Sequence, residues 1–342
     1  MGEVRERVAV AGASGYVGSA LGPVLARRFD TVGLSRRARP PGGGYAQWRA
    51  TDLFSLADAE RGLEGCDRAV YLVHSMMPSD RLTQGRFENF DLICADNFGR
   101  AASEVGVKQI IYLGGLTPPS EARGALSRHL ASRLETERAL ADHGVPVTAL
   151  RAGLVIGRGG SSFVMMQRLV VRLPLMLCPV WTATQTQPIA LADVIRILDA
   201  CLGREELAGA HDIGCPEAVS YREMMEATAH ALGKTRRMIP VPFMTTGLSR
   251  LWVSLITGAP KDLVAPLIES LEHPMIARDL ELQRELGLAP TSMQEALATA
   301  LAARGAMHRV ASRRIFRRGR EAKTPLYRAY CKFWRQSPRR KG

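Results

Sequence analysis

Two residues in the stretch SRHLASRLETE (127–137) carry groups suited to proton transfer. His129 and Arg133 stand four apart, which places both on one face of a helix, one turn from each other. An imidazole has an ordinary pKa of about 6.5, so it can give a proton to an oxyanion near neutral pH. The neighbouring guanidinium lowers that pKa by charge repulsion, leaving His129 neutral but still able to donate one hydrogen bond. Arg133 keeps a permanent charge that suits hydroxyls or a phosphate. The other readings of His129 are a contact to a bound molecule and plain packing on its helix.

A second set, close to the chain's start, has the form of a phosphate cradle. RVAVAGASGYVGSALGPVLARRF (7–29) reads as strand, tight turn and helix. Val8, Val10 and Ala11 suit a buried parallel strand, and Val17, Leu21 and Leu25 then recur at helical intervals. Gly12, Gly15 and Gly18 stand between at GxxGxxG spacing. Gly12 permits the sharp turn, Gly15 lets the backbone approach a pyrophosphate, and Gly18 lets helix and strand pack closely. Ala13, Ser14, Tyr16 and Val17 complete the turn and the first amides of the helix, which face the phosphates. The next strand, TVGLSRR (31–37), ends in Ser35, Arg36 and Arg37 rather than in an acid. Two guanidinium groups there match a 2′-phosphate in charge and fork geometry, so NADP(H) is expected in preference to NAD(H). The alternative is a solvated loop.

These residues need a frame. Further strand-like runs recur with helical patterns between them: AQWRATDL, RAVYLVHSM, KQIIYLGGL, PVTALRAGLVIG and TQTQPIAL. Such alternation implies right-handed crossovers and an α/β fold, a Rossmann-type doubly wound parallel sheet. Ligands of such sheets bind along the carboxyl ends of the strands. Asp52 and Leu53 stand at the third end, near an adenine. Leu72, Val73 and His74, then Leu113 and Gly114, then Ala152 and Gly153, stand at later ends. The nucleotide domain is expected over 1–158, completed by about 186–215. The rest of 159–302 is expected to form a smaller, mainly helical C-terminal substrate lobe.

In that lobe SSFVMMQRLVVRLPLMLCPVW (161–181) is apolar and broken by Pro174 and Pro179. SYREMMEATAHALGK (220–234) reads as a capped amphipathic helix, with Ser220 at its N-cap, Glu223 three later and Gly233 at its end. Phe163, Met165, Met166, Met176, Trp181 and Trp252 are either core or the lining of an apolar pocket. In the second case they imply a small hydrophobic substrate such as a quinone, an isoprenoid or an acyl compound.

Charge separates the chain's end from the rest. The whole chain carries 46 Lys and Arg against 33 acids, a net of +13. Residues 303–342 hold fourteen Lys or Arg and one acid, Glu321, which is also +13, so residues 1–302 are neutral overall. Arginines in this tail alternate with Phe316, Tyr327, Tyr330, Phe333 and Trp334. That pattern fits a solvated charge run, an anionic membrane surface, or an acidic macromolecule; no nucleic-acid-binding fold accompanies it. Six scattered cysteines with no CxxC pair imply free reduced thiols and no metal site. MGEVRERVAV is charged and runs straight into a strand, so no signal peptide is expected. With no run of about 18 apolar residues, the expected setting is cytoplasmic, with peripheral membrane contact through the tail.

The chain resembles the extended and atypical short-chain dehydrogenase/reductases. Within them it is most similar to the NmrA-like branch that includes the nucleotide-binding accessory subunit of respiratory complex I, and to the YbjT-like bacterial NAD(P)-binding proteins. YLVHSM (71–76), IIYLGGL (110–116), SRHLASRLETE (127–137), QPIALADV (187–194) and LWVSLITGAPKDLVAPLIESLEHP (251–274) carry the resemblance, over about residues 7–300. Active members reduce carbonyls with a Ser after the fifth strand and a Tyr-x-x-x-Lys helix. The resemblance puts His129 at the Tyr position, Arg133 at the Lys position and Gly115 (or Gly114) at the Ser position. Ser132, Glu135 and Glu137 keep the surrounding pattern. Thr117 and Ser127 are the nearest hydroxyls in sequence, with nothing to aim either at a substrate. Loss of one oxyanion donor costs about 100–1000-fold in rate. The resemblance therefore implies an NAD(P)H-dependent oxidoreductase working without the usual triad on a quinone, enone or isoprenoid-like compound. Its alternative is a non-catalytic NADP(H)-binding redox sensor or assembly factor.

Overall fold

The computed structural model describes residues 5–74, 87–118, 126–241, 246–259 and 261–302. The basic tail, Ser75 and Met76 of the expected fourth run, and the side chain of Trp252 lie outside the described residues.

The first half builds the sheet. Strand β1 (Arg7–Ala11) leads to helix α1 (Tyr16–Leu25), β2 (Asp30–Ser35), β3 (Gln47–Ala50), α2 (Leu56–Leu63), β4 (Arg68–Tyr71), α3 (Phe87–Glu104), β5 (Gln109–Gly115), α4 (Arg128–Ala141) and β6 (Val147–Ala152). The later part adds β7 (Val155–Ile156), α5 (Ser161–Arg172), β8 (Leu175–Cys178), β9 (Gln185–Thr186), β10 (Ile189–Ala190), α6 (Leu191–Cys201), β11 (Gly209–Ile213), β12 (Val219–Ser220), α7 (Tyr221–Ala231) and β13 (Arg237–Pro240). Helices α8 (Thr246–Thr257), α9 (Lys261–Ser270), α10 (Glu281–Glu285) and α11 (Met293–Ala302) follow.

Seven strands form one parallel sheet in the order β11-β6-β5-β4-β1-β2-β3. Chain direction across the sheet reverses between β1 and β4, the switch point at which open α/β sheets bind ligands. Both faces are covered, so the central strands are apolar throughout rather than alternating. Side chains still divide by a period of two. Ala9, Ala11, Ile110 and Tyr112 pack with α2, α3 and α4 on one face. Val8, Val10, Ile111 and Leu113 pack with α1 and α6 on the other. A third cluster, from Phe163 and Met176 to Val264 and Leu297, is the core of the helical lobe.

Two expected strands divide. PVTALRAGLVIG breaks at Gly153, where a Cβ would sit 2.2 Å from the Gln187 carbonyl oxygen. TQTQPIAL breaks around Pro188: β9 pairs with β12 and β10 with β7, both outside the main sheet. The seventh strand is instead β11, paired in parallel with β6. Its sequence, GAHDI, lacks an apolar run because it is a half-exposed edge strand. Asp212 on that strand takes a fork of hydrogen bonds from Arg278, at 2.9 and 3.0 Å, which fastens the segment after α9 to the sheet. In the lobe, Ser220 and Glu223 form a reciprocal capping box at the start of α7, and Gly233 adopts φ +63 just beyond its end. Among the described residues no helix is long and apolar enough to cross a membrane.

Candidate functional site

A cavity of about 580 Å³ opens at the carboxyl ends of β1, β4, β5 and β6 and continues into the helical lobe. On the sheet side it is lined by Gly12, Gly15, Leu72, Leu113, Gly115 and Gly153. On the lobe side Met165, Met166, Leu169, Trp181, Val264 and Ile268 face it. Phe163 and Met176, offered by sequence as the same lining, lie wholly inside the lobe core.

The glycine turn forms because no other residue fits. Gly12 has φ +83, and a Cβ on it would lie 3.0 Å from the Leu72 carbonyl. A Cβ on Gly18 would lie 2.5 Å from the Gly12 carbonyl oxygen. Helix α1 can therefore rest directly on the turn, and the Gly15 amide donates back to Gly12 at 2.8 Å. The helix begins with no side-chain cap and no acid in its first turn. Its leading amides are left for an anion, which the helix dipole also favours.

Tyr16 has a second use. A Cβ on Gly157 would lie 2.1 Å from the Tyr16 hydroxyl, and one on Gly160 would lie 3.0 Å from its ring. The ring thus lies on the Gly157–Gly160 loop that leads into α5, and joins the turn to the lobe. Its hydroxyl is buried without a hydrogen-bond partner among the described residues, and burial raises its pKa.

At the opposite corner the Ser35 hydroxyl donates to the Arg37 carbonyl at 2.7 Å, while the Arg36 and Arg37 side chains are exposed. The charges of both Arg36 and Asp52 act on Cys94 of α3, whose thiol burial pushes up to about 12. Arg36 and Asp52 therefore share the corner beyond β2 and β3. Asn97 holds the adjoining loop by donating to the Leu53 carbonyl at 2.9 Å. Ala13 and Leu53 are buried in the flanking cores, and Val73 packs beneath the site. The Gly114 Cα faces the Tyr112 ring.

Helix α4 brings His129 and Arg133 to the cavity beside His74 and Gly115. Ser127 caps this helix, accepting from the Leu130 amide at 3.3 Å. Its hydroxyl also meets that of Ser270 at 2.9 Å, tying α4 to the end of α9. Ser127 is thereby committed to the scaffold, and Thr117 is buried away from the lining. Glu137 is also structural: its carboxylate receives Arg151 of β6 in a fork at 2.6 and 2.9 Å. The Tyr112 hydroxyl donates to the Arg133 carbonyl at 3.2 Å. A Cβ at Gly115 would lie 3.4 Å from Arg133 Nε, so Gly115, more than Gly114, is the strand-end position that adjoins the basic pair. Arg133 Nε is buried and has no partner among the described residues.

The His129 pKa lies well below the ordinary value, first because of burial, then because of His74 and Arg133. Sequence reasoning named only the third cause. It also missed the partner of His74, whose Nδ1 lies 3.0 Å from the Asp91 carboxylate, and whose ring centroid is 4.9 Å from that of His129. Nothing local signals this contact, since Asp91 comes from the next helix, 17 residues on. Burial and the charge of Arg133 lower the His74 pKa, and Asp91 opposes them.

The sheet order, the glycine turn and the cavity over the switch point are those of a doubly wound, Rossmann-type α/β fold. The structure is similar to WbmG of Bordetella bronchiseptica in complex with NAD, with TM-score 0.66 and 17% identity, covering 88% of this chain and 94% of that one. NADPH-dependent quinone oxidoreductase QOR2 of Escherichia coli, complexed with NADPH, matches with TM-score 0.64 and 17% identity over 85% and 98%. UDP-N-acetylglucosamine 4-epimerase of Bacillus cereus matches with TM-score 0.63 and 16% identity over 88% and 100%. In sequence, a stretch of 114 residues is 29% identical to the auxiliary protein GraX of Staphylococcus aureus. It covers 33% of this chain and 37% of GraX, so the match spans little more than a third of that relative's length. No family model matches the chain.

Proposed function

We propose that this protein binds NADP(H) and is an oxidoreductase acting on a small hydrophobic substrate, a quinone, enone or isoprenoid-like molecule, without the usual Ser/Tyr/Lys triad. One observation carries the reading: a single cavity joins the uncapped amides of α1 to an apolar lobe, with His74, His129 and Arg133 between them. Four buried polar groups of residues lining that cavity lack partners among the described residues: the Tyr16 hydroxyl, His74 Nε2 and Arg133 Nε on the sheet side and Trp181 Nε1 on the lobe side. The sheet-side groups and the glycine cradle fit a dinucleotide. Gly12 to Gly18, with Ala13, Ser14, Tyr16 and Val17, would hold the pyrophosphate. Ser35, Arg36 and Arg37 would take the 2′-phosphate, and Asp52 and Leu53 the adenine. Leu72, Val73, His74, Leu113, Gly114, Ala152 and Gly153 would border the nicotinamide half, with Arg133 on its ribose. When bound in reduced form, the nicotinamide supplies hydride. QOR2 is described as an NADPH-dependent quinone oxidoreductase, which supports the substrate class.

On this reading residues 1–158, completed by about 186–215, are the nucleotide domain, and the remainder of 159–302 admits the substrate. The protein works in the cytoplasm, and its basic tail meets the anionic inner face of the membrane. A second reading, a non-catalytic NADP(H) sensor or assembly factor, is favoured by Gly115 and His129 at the triad positions and by GraX being an auxiliary protein.

Fluorescence titration with NADPH and NADH, followed by stopped turnover assays on quinones and enones, tests both. Tighter binding of NADPH, lost on Arg36→Glu, and measurable oxidation of NADPH by an apolar enone support the enzyme. Tight NADPH binding with no turnover favours the sensor, and no binding of either nucleotide overturns both.

A further inference from the structure

We propose that Asp91 and His74 form the proton-carrying pair of this site, with His74 Nε2 as the atom that exchanges a proton with the substrate oxygen and His129 as a neutral hydrogen-bond donor beside it. This rests on the oxidoreductase reading above. His74 stands just past β4, where the Leu72 amide still donates to Ala11 of β1 at 3.0 Å. The imidazole is thus held at the switch point, directly beside the glycine turn. Its Nδ1 lies 3.0 Å from Oδ2 of Asp91, a carboxylate buried on α3. A carboxylate only accepts, so the ring proton resides on Nδ1 and the lone pair on Nε2. That Nε2 is buried and has no hydrogen-bond partner among the described residues. The residue lines the cavity together with His129.

The two imidazoles differ in what surrounds them. Among the described residues, burial, His74 and Arg133 all act against a charged His129, and no carboxylate opposes them. His74 meets the same burial and the same Arg133, but Asp91 supports its charged form. Beside Asp91, burial raises the pKa of Cys94 on the same helix and of Tyr71 of β4, so neither adds a negative charge next to it. A carboxylate behind an imidazole fixes its tautomer and stabilises the cation that forms during proton transfer. Asp91 is a positioning residue here; His74 touches the reacting oxygen.

For an α,β-unsaturated carbonyl the step balances as follows. Hydride, with a reduced nicotinamide as its source, adds to the β carbon, and the displaced electron pair moves through the conjugated system to the carbonyl oxygen. The donor is the imidazolium, formed when His74 Nε2 has first taken a proton from water: its Nε2–H bond breaks, an O–H bond forms on that oxygen, and an enol results. His74 is left neutral and regains a proton from water. His129, tilted 58° to the His74 ring with centroids 4.9 Å apart, donates its hydrogen bond to the same oxygen. Gly115 leaves open the space that a serine side chain would fill.

The test combines nitrogen-15 histidine NMR of the NADPH-saturated full chain, from pH 5 to 8.5, with turnover of an apolar enone. The expected spectra show His74 with its proton on Nδ1 at high pH and a second proton entering at Nε2, while His129 stays neutral. Asp91→Asn keeps the shape of the buried group and is expected to lower the His74 proton affinity about tenfold. Asp91→Asn and His74→Gln are each expected to lower kcat about 100-fold, with NADPH affinity unchanged in Asp91→Asn. The proposal is overturned by an Nε2–H tautomer at high pH, by a His74 titration indifferent to Asp91→Asn, or by unchanged kcat in both variants. A wild-type chain that binds NADPH but reduces no enone counts against the oxidoreductase reading instead, and the NMR result then decides the pair on its own.

Discussion

At the scale of single residues, His129 and His74 tie the site to acid stability. Both are held below the ordinary imidazole pKa, His129 well below it, chiefly by burial. Unfolded, both would take a proton as the pH falls through about 6.5. The folded chain binds fewer protons on them, so its stability rises with pH in that range. Above about pH 6.5 both states are neutral and the two residues have no pH effect. Below it, stability is lost progressively toward the lowered folded values. Asp91 softens the loss at His74, so His129 carries more of it. His129→Asn is therefore expected to flatten the acid limb of stability while changing little at pH 8. Urea midpoints measured from pH 5 to 8 check this, and parallel wild-type and variant curves would refute it.

Among the elements, α4 governs the site because it carries both His129 and Arg133, and it is fixed at three places. Ser127 ties its start to Ser270, Tyr112 holds the Arg133 carbonyl, and Glu137 meets Arg151 on β6. The last is a mostly buried pair, with 10% and 17% of the side chains exposed. Glu137→Gln would leave the Arg151 charge without its anion, at a cost of about 3 kcal/mol. A lower urea midpoint with an unchanged denaturant slope is expected, together with weaker NADPH binding as α4 shifts. An unchanged midpoint would show that the pair contributes nothing. The same helix shows what a sequence can reveal. The β1–turn–α1 unit is legible because its constraints are local: Gly12 and Gly18 touch residues within a few positions, or the neighbouring strand. His129 and Arg133 are legible as a pair because helical spacing alone sets them on one face. Glu137 was read only as part of the pattern around the pair, because residue type does not reveal that Arg151 waits on β6. β11 was missed for a related reason, since a half-exposed edge strand needs no apolar run. The Asp91–His74 contact crosses from a strand end to a helix, and only packing brings it about.

Across the whole molecule, charge is divided as sharply as packing. Residues 1–302 sum to zero, and the entire excess of +13 falls in 303–342. On the function proposed above, the local Arg36, Arg37 and Arg133 would supply the positive field for a phosphorylated dinucleotide, and the tail's basic residues would serve another surface, an anionic membrane. Each Lys or Arg held near anionic lipid contributes about 1 kcal/mol, and its five aromatics suit the interface where rings settle. If the proposed function holds, the apolar cavity would give such placement a purpose, because a quinone or isoprenoid substrate partitions into the bilayer and a tethered enzyme would meet it there. The full chain is accordingly expected to pellet with phosphatidylserine vesicles and not with neutral ones. Pelleting should weaken between about 0.1 and 1 M salt, as the screening length falls from about 10 to 3 Å. Deletion of 303–342 should abolish it while leaving NADPH affinity unchanged, since the glycine turn and Arg36 and Arg37 just after β2 remain. Equal pelleting of the deleted chain would rule the tail out as the membrane contact.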